Sequence, residues 1–351
     1  MDAHKIPATV VTGFLGAGKT TLIRNLLATA NGRRIALVIN EFGDLGVDGD
    51  VLAGCGDETC TEDDIVELNN GCICCTVADD FVPTMEKLLA RQPRPDHIVI
   101  ETSGLALPQP LVDAFNWPQI RESVSVDGVV TVVDAAAVAE GRFAHDHHAV
   151  AAQRAQDDAL DHGSPLEELF EDQINCADML VVSKTDLVDE QGMARVEHEV
   201  RHATQRRVAI VRSAEGRVPG ADVLLGLGVG SEADLDARRS HHEKHHAAGH
   251  EHDHDEFGSI VVEGEGIRDA DTVVRALGEA IDAHDVLRLK GFLAVEGKAM
   301  RMVVQAVGPR ISTYFDRPWR SDEERASRLV VIGLHGWNEA KVRDAIARAL
   351  G

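Results

Sequence analysis

Three of the chain's six cysteines, Cys72, Cys74 and Cys75, crowd into four positions of NNGCICCT, residues 69–76. Thiolates are soft donors suited to Zn²⁺ and its neighbours. The cluster therefore reads as a metal site, as a thiol redox device, or as small buried hydrophobes. C-x-C-C is neither a zinc-finger spacing nor the C-x-x-C of a redox helix. Three sulfurs leave a tetrahedral ion one open position, which suits transfer better than permanent structure. Gly71, just before the cluster, gives the backbone freedom for neighbouring side chains to converge. Metal binding is the favoured reading, with redox and structural roles as alternatives. Cys55 and Cys60 in CGDETC sit in a polar stretch upstream and read as loop thiols or helpers in capture, and Cys176 reads as core.

A second chemical centre is GFLGAGKTT, residues 13–21. Gly13, four residues, then Gly18-Lys19-Thr20 is the spacing G-x₄-G-K-[ST], set after an apolar run and before a helical pattern. Its glycines let successive backbone N–H groups line one anion-binding concavity, and the helix N-terminus adds its dipole. Lys19 would reach the β- and γ-phosphates, and Thr20 would ligate Mg²⁺.

Further along, VVSKTDL (181–187) ends an apolar run in the pattern by which a guanine base is read. Asp186 would accept from the base N1–H and exocyclic amine, and the Lys184 stem would pack along the ring. Ser183 stands where Asn is usual, which predicts one weaker bond to guanine. Ser213-Ala214 sits where a supporting base contact is expected. IVIETSG (98–104) puts Glu101 at a strand tip with a flexible Gly104 after it, a position for organising Mg²⁺ or water; Glu41 in NEFG is a second such carboxylate. No arginine finger can be picked out, so hydrolysis is expected to be slow.

These groups need a scaffold, and the patterning supplies one. PATVVTG, RIALVIN, DIVELN, DHIVIET, VDGVVTVVDA, ADMLVVSK and RVAIVRS read as short strands whose continuous apolarity suits a parallel sheet covered on both faces. Helical stretches such as TTLIRNLLATA and VPTMEKLLARQ lie between them. The alternation predicts a doubly wound α/β domain over 1–230, interrupted by a polar helical insertion at 141–173. Residues 231–257 have no apolar period and carry seven of the seventeen histidines, His241, His242, His245, His246, His250, His252 and His254, so they read as a linker and an auxiliary metal set. His145, His147 and His148 in the insertion make a weaker case. Residues 258–351 read as a smaller α+β domain: a strand at SIVVEGEG, a helix near 268–283, strands near 286–296, 300–307 and RLVVIG, and a helix over 338–350.

Composition sets outer bounds. The 351 residues are 44% hydrophobic and 27% charged, with only 4% aromatics, so the core is aliphatic. A formal charge of −24 argues against nucleic-acid and anionic-membrane partners. The opening MDAHKIPATVVTG lacks the apolar core of a signal peptide, which predicts the cytosol, where thiols stay reduced.

Taken in order, GFLGAGKTT, NEFGDLGVD, ELNNGCICCT, ETSGLALP and SKTDL resemble the CobW family, a metal-handling branch of the P-loop GTPases; LRLKGFLAVEG and VVQAVG extend the resemblance into the C-terminal domain. It implies a P-loop fold and a GTP-dependent metallochaperone that delivers Co²⁺ to the cobaltochelatase of aerobic cobalamin synthesis. Nucleotide contacts would fall on Gly13, Gly16, Ala17, Gly18, Lys19, Thr20 and Thr21, with Ser183, Lys184 and Asp186 at the base. Mg²⁺ and switch residues would be Thr20, Glu41 and Glu101, with Lys19 and Glu101 serving hydrolysis, and the metal thiols Cys72, Cys74 and Cys75. The CGDETCTEDD stretch and the insertion ending in SKTDL resemble the cobalt branch; the alternatives are zinc allocation and a non-catalytic metal buffer. A nucleotide- or metal-dependent homodimer is a further expectation.

Overall fold

The computed structural model describes residues 5–28, 33–39, 65–67, 81–144, 146, 148, 150–152, 166–204, 208–218, 257–320, 323–334 and 336–351. The chain divides into two compact units, one within Lys5–Ala221 and one within Asp222–Gly351.

The first unit is built on seven strands: β1 (Ile6–Thr12), β2 (Ile35–Ile39), β3 (Ile65–Glu67), β4 (His97–Glu101), β5 (Val124–Asp134), β6 (Met179–Ser183) and β7 (Ala209–Arg212). They form one sheet in the order β3-β2-β4-β1-β5-β6-β7, and each pairing is parallel. Each of the seven apolar runs became one of these strands. Every residue of β2, β4 and β6 is buried. Successive strand side chains point to opposite faces, so both faces of the sheet are covered. The helices include α1 (Lys19–Ala28), α2 (Val82–Ala90), α3 (Gln109–Ala114), α4 (Pro118–Arg121), α5 (Ala135–Ala139), α6 (Leu166–Cys176) and α7 (Glu190–Ala203). Helix α6 lies mostly within the expected insertion. Cys176 at its end is half-buried beside the core formed by Val10, Ile98, Met85 and Leu111.

β1 separates the sheet into two wings, β4-β2-β3 on one side and β5-β6-β7 on the other. The carboxyl end of β1 is therefore the crevice where open α/β sheets place their ligands. Register fixes what meets there: Val11 pairs with Glu101, Thr12 with Thr131, and Asp134 with Ser183.

The second unit is an antiparallel sheet of β8 (Phe257–Gly264), β9 (Arg288–Leu293), β10 (Met300–Val307), β11 (Arg310–Pro318) and β12 (Ser327–Leu334), ordered β11-β10-β9-β12-β8. Helices α8 (Ala270–Ala283) and α9 (Glu339–Leu350) pack Leu277, Ile281, Val342 and Ile346 against Leu289, Val304 and Val331. β11, RISTYFDRP, was not anticipated. It is an edge strand whose half-exposed polar residues carry no apolar run, as edge strands often do.

An ion network braces this edge. The Arg301 guanidinium grips Asp316 at 2.7 Å and Glu323 at 3.2 Å and lies 3.6 Å over the Phe292 ring, while Arg317 reaches Glu323 at 2.7 Å. Burial would raise the Glu323 carboxyl, but bonds from Arg317 and the Arg320 N–H, with the charges of Arg317 and Arg301, bring it from 4.5 down to about 2. A depressed folded-state value stabilises above the unfolded value and fades as pH falls through the folded one, here from 4.5 towards 2. After screening by the solvent that reaches this carboxylate, Glu323→Gln is expected to cost about 1–2 kcal/mol near neutral pH. Urea titrations should also show a flatter acid limb for the variant than for the parent; superimposable limbs would refute this.

Candidate functional site

The loop between β1 and α1 turns on Gly13, whose φ is +133° and whose position would bring a Cβ to 2.2 Å from the Val132 carbonyl oxygen. No other residue fits there. Lys19 opens α1 and is 7% exposed, with its ammonium donating to the Gly13 and Phe14 carbonyls at 2.9 and 3.2 Å. The ammonium thus lies across the mouth of the loop. Thr20, one residue on, donates from Oγ1 to Glu101 Oε1 at 2.8 Å, a contact the Val11–Glu101 register makes possible. A hydroxyl and a buried carboxylate are the hard oxygen donors Mg²⁺ takes, so these two residues fit that ion and would hold it when it accompanies a nucleotide.

The segment after β4 is fastened to the same loop. The Thr102 N–H donates to Val11 O and its hydroxyl to Thr12 Oγ1, both at 2.9 Å. Gly104 has a different reason to be glycine than the flexibility expected of it. A Cβ there would meet the Leu15 backbone nitrogen at 2.6 Å, so it is a point of close approach.

The opposite wall comes from the tips of β5 and β6. Ser183 is buried, and its hydroxyl lies 2.6 Å from Ala17 O and 3.2 Å from Val133 O. The expected weak bond to guanine is not what this geometry offers; Ser183 straps the phosphate loop to β6. Lys184 sits in the left-handed region, with φ 57°, a conformation costing roughly 1–2 kcal/mol outside glycine. Its ammonium is tied to Gly16 O at 2.8 Å and to Asp134 Oδ2 at 2.5 Å. Thr185 N–H and Oγ1 both donate to Ser213 O, and the Glu215 N–H donates to Asp186 Oδ1 at 3.2 Å. Asp186 is left exposed at the rim, and Ser213 Oγ is buried without a hydrogen-bond partner among the described residues.

Asp134 is the residue the sequence reading passed over. It ends β5, is 2% exposed, and uses both oxygens: Oδ1 accepts the Ala137 N–H as N-cap of α5, and Oδ2 holds Lys184. A carboxylate ending a buried strand and opening the alanine-rich turn DAAAVA was a readable cap signal.

The loop after β1, the Thr20–Glu101 pair and the turn at Ser183–Asp186 thus meet at the carboxyl ends of the central strands. Residues 7–212 match the family described as the CobW/HypB/UreG nucleotide-binding domain. The chain belongs to the CobW/HypB/UreG family. Its second unit agrees, since residues 257–350 match the cobalamin synthesis protein cobW C-terminal domain. This CobW/HypB/UreG chain is similar to a protein of Sinorhizobium sp. named zinc chaperone CobW, 65% identical over 342 residues, 97% of this chain and 96% of the relative. A Pseudomonas aeruginosa protein of the same name is 50% identical over 350 residues, 99% and 92% of the two chains. The zinc chaperone YjiA of Escherichia coli is 30% identical over 356 residues, covering 98% of each.

Of the CobW-type metal residues, Glu41, Cys72, Cys74 and Cys75 lie outside the described residues, as do Cys55, Cys60, His145, His147 and the histidines from His241 to His254. His148 is described and is exposed. Among the described residues no helix is long and apolar enough to cross a membrane.

Proposed function

We propose that this chain is a GTP-dependent chaperone for a divalent transition metal, slow in hydrolysis, whose nucleotide state sets the affinity of the Cys72, Cys74 and Cys75 site. One structural observation carries the link. Ile39 pairs with Glu101 on one side and Glu67 on the other, so the ends of β2, β3 and β4 form one row at the nucleotide edge. The sequence holding Glu41 continues from that row, and so does the sequence holding the cysteines. A γ-phosphate and Mg²⁺ felt at Glu101 and Glu41 would act on the segment that bears the thiols.

The cargo we favour is Zn²⁺. The two relatives at 65% and 50% identity carry zinc in their names, and Zn²⁺ is among the ions that soft thiolate ligands select. The Co²⁺ reading, with the cobaltochelatase as client, rests on the resemblance of CGDETCTEDD and the insertion to the cobalt branch. On either reading GTP must tighten metal binding by the factor by which metal tightens GTP binding.

Competing Zn²⁺ against Co²⁺ for the Mg²⁺·GTP and GDP forms, with each cysteine changed to Ser, tests both layers. We expect at least a tenfold preference of metal for the GTP form, lost in the Ser variants, which is about 1.4 kcal/mol of coupling. Equal affinities in the two nucleotide states would end the proposal. Deleting 238–255 should spare the tight site; its loss would instead favour a histidine-rich buffer.

A further inference from the structure

We propose that His198 and His202 on α7 form a metal site of their own, a two-imidazole chelate for a late first-row divalent ion such as Zn²⁺ or Ni²⁺. The two residues are one turn apart, so they share a helix face, and both are exposed. Their ring centroids are 4.6 Å apart with the planes inclined at 70°. Two imidazoles bound at about 2.0–2.1 Å with a near-tetrahedral angle place their centroids about 5 Å apart. The 4.6 Å separation is thus close to what one shared ion requires, and rotation of the two edge-to-face rings about their side-chain bonds would turn a nitrogen of each toward it.

Two independent features point the same way. Residues 198–202 read HEVRH, which is H-E-x-x-H on a helix, the spacing that presents two histidines to one zinc ion. His202 also lies in the last turn of α7, ahead of the C-cap Thr204, where the carbonyl end of the helix favours a cation. The helix is a firm base, because Met193, Val196 and Val200 are buried on its other side. Of the neighbouring carboxylates, Glu197 is paired with Arg212 at 2.7 Å. No group of three His, Cys, Asp or Glu suited to a metal occurs among the described residues. With two protein nitrogens the ion keeps open positions, so the site is one of exchange.

The test is histidine labelling by diethyl pyrocarbonate on the nucleotide-free full chain, read residue by residue by mass spectrometry with and without Zn²⁺. We expect Zn²⁺ to slow labelling of His198 and His202 together by about an order of magnitude. His198→Ala should restore fast labelling of His202 in the presence of Zn²⁺, whereas Glu199→Gln should leave the protection in place. Labelling indifferent to Zn²⁺, His202 protection that survives His198→Ala, or protection lost in Glu199→Gln would each overturn the two-imidazole site. The readout involves neither GTP nor Cys72, Cys74 and Cys75, so its failure leaves the nucleotide-linked thiol site standing.

Discussion

Lys19→Ala is expected to remove GTP hydrolysis to the limit of detection, at least about 10²–10³-fold, and to weaken Mg²⁺·GTP binding with it. The ammonium is 7% exposed and spans the mouth of the loop on two carbonyls, Gly13 O and Phe14 O. A charge held that close to the phosphate path acts with little solvent screening, and phosphoryl transfer depends almost wholly on such positioning and electrostatics. Part of the loss should fall on the fold, because the Gly13 and Phe14 carbonyls lose a charged donor, contacts worth about 1.5–3 kcal/mol each, offset by no longer burying the ammonium. The measurement is single-turnover hydrolysis together with the thermal midpoint. A hydrolysis rate within tenfold of the parent would show that Lys19 is not the phosphate-facing cation. Collapse of the midpoint by tens of degrees would show that the lysine is chiefly a loop strut. Arginine should not rescue, since a planar guanidinium does not reproduce a compact ammonium point charge between those carbonyls.

What the sequence could reveal depended on whether the signal was local. The strands of the first unit were legible because burial on both faces demands uninterrupted apolar runs, and IALVI or MLVVS admits little else. The placing of Lys19 and Thr20 at the head of α1 was legible because G-x₄-G-K-[ST] fixes residue type by spacing, and that of Glu101 because the apolar run IVI ends on it. Other features arise only when distant segments meet. Ser183 read as a substandard base contact, yet the fold puts Ala17, 166 positions away, within 2.6 Å of its hydroxyl. Gly104 read as a hinge, yet the Leu15 backbone leaves no room for a Cβ. β11 went unread because an edge strand buries so little that period and apolarity both fade. HEVRH was local, but its histidines lie exposed among Glu197, Glu199 and Arg201, where they are part of an ordinary solvated helix face.

Asp134→Asn separates the two halves of the nucleotide site. Asparagine caps a helix about as well as aspartate, so the bond from the Ala137 N–H and the start of α5 should survive. The variant removes the charge facing the Lys184 ammonium, which is now held at 2.5 Å by a carboxylate whose side chain is 1% exposed. Breaking a fully buried pair costs roughly 3–5 kcal/mol. Lys184 is 31% exposed, so rehydration should trim the loss to about 1–3 kcal/mol. That loss falls on a residue already strained at φ 57°, and among the described residues the ammonium retains Gly16 O to hold its stem where a base would stack. Guanine nucleotide affinity should fall by about ten- to a hundredfold. Asp186 keeps its own support from the Glu215 N–H, so GTP and ITP should weaken in parallel and their ratio should stay constant. Titration of both nucleotides against the variant decides the matter. An unchanged affinity would mean that the Asp134–Lys184 pair braces the fold alone, and a shifted GTP to ITP ratio would place Asp134 in base reading itself.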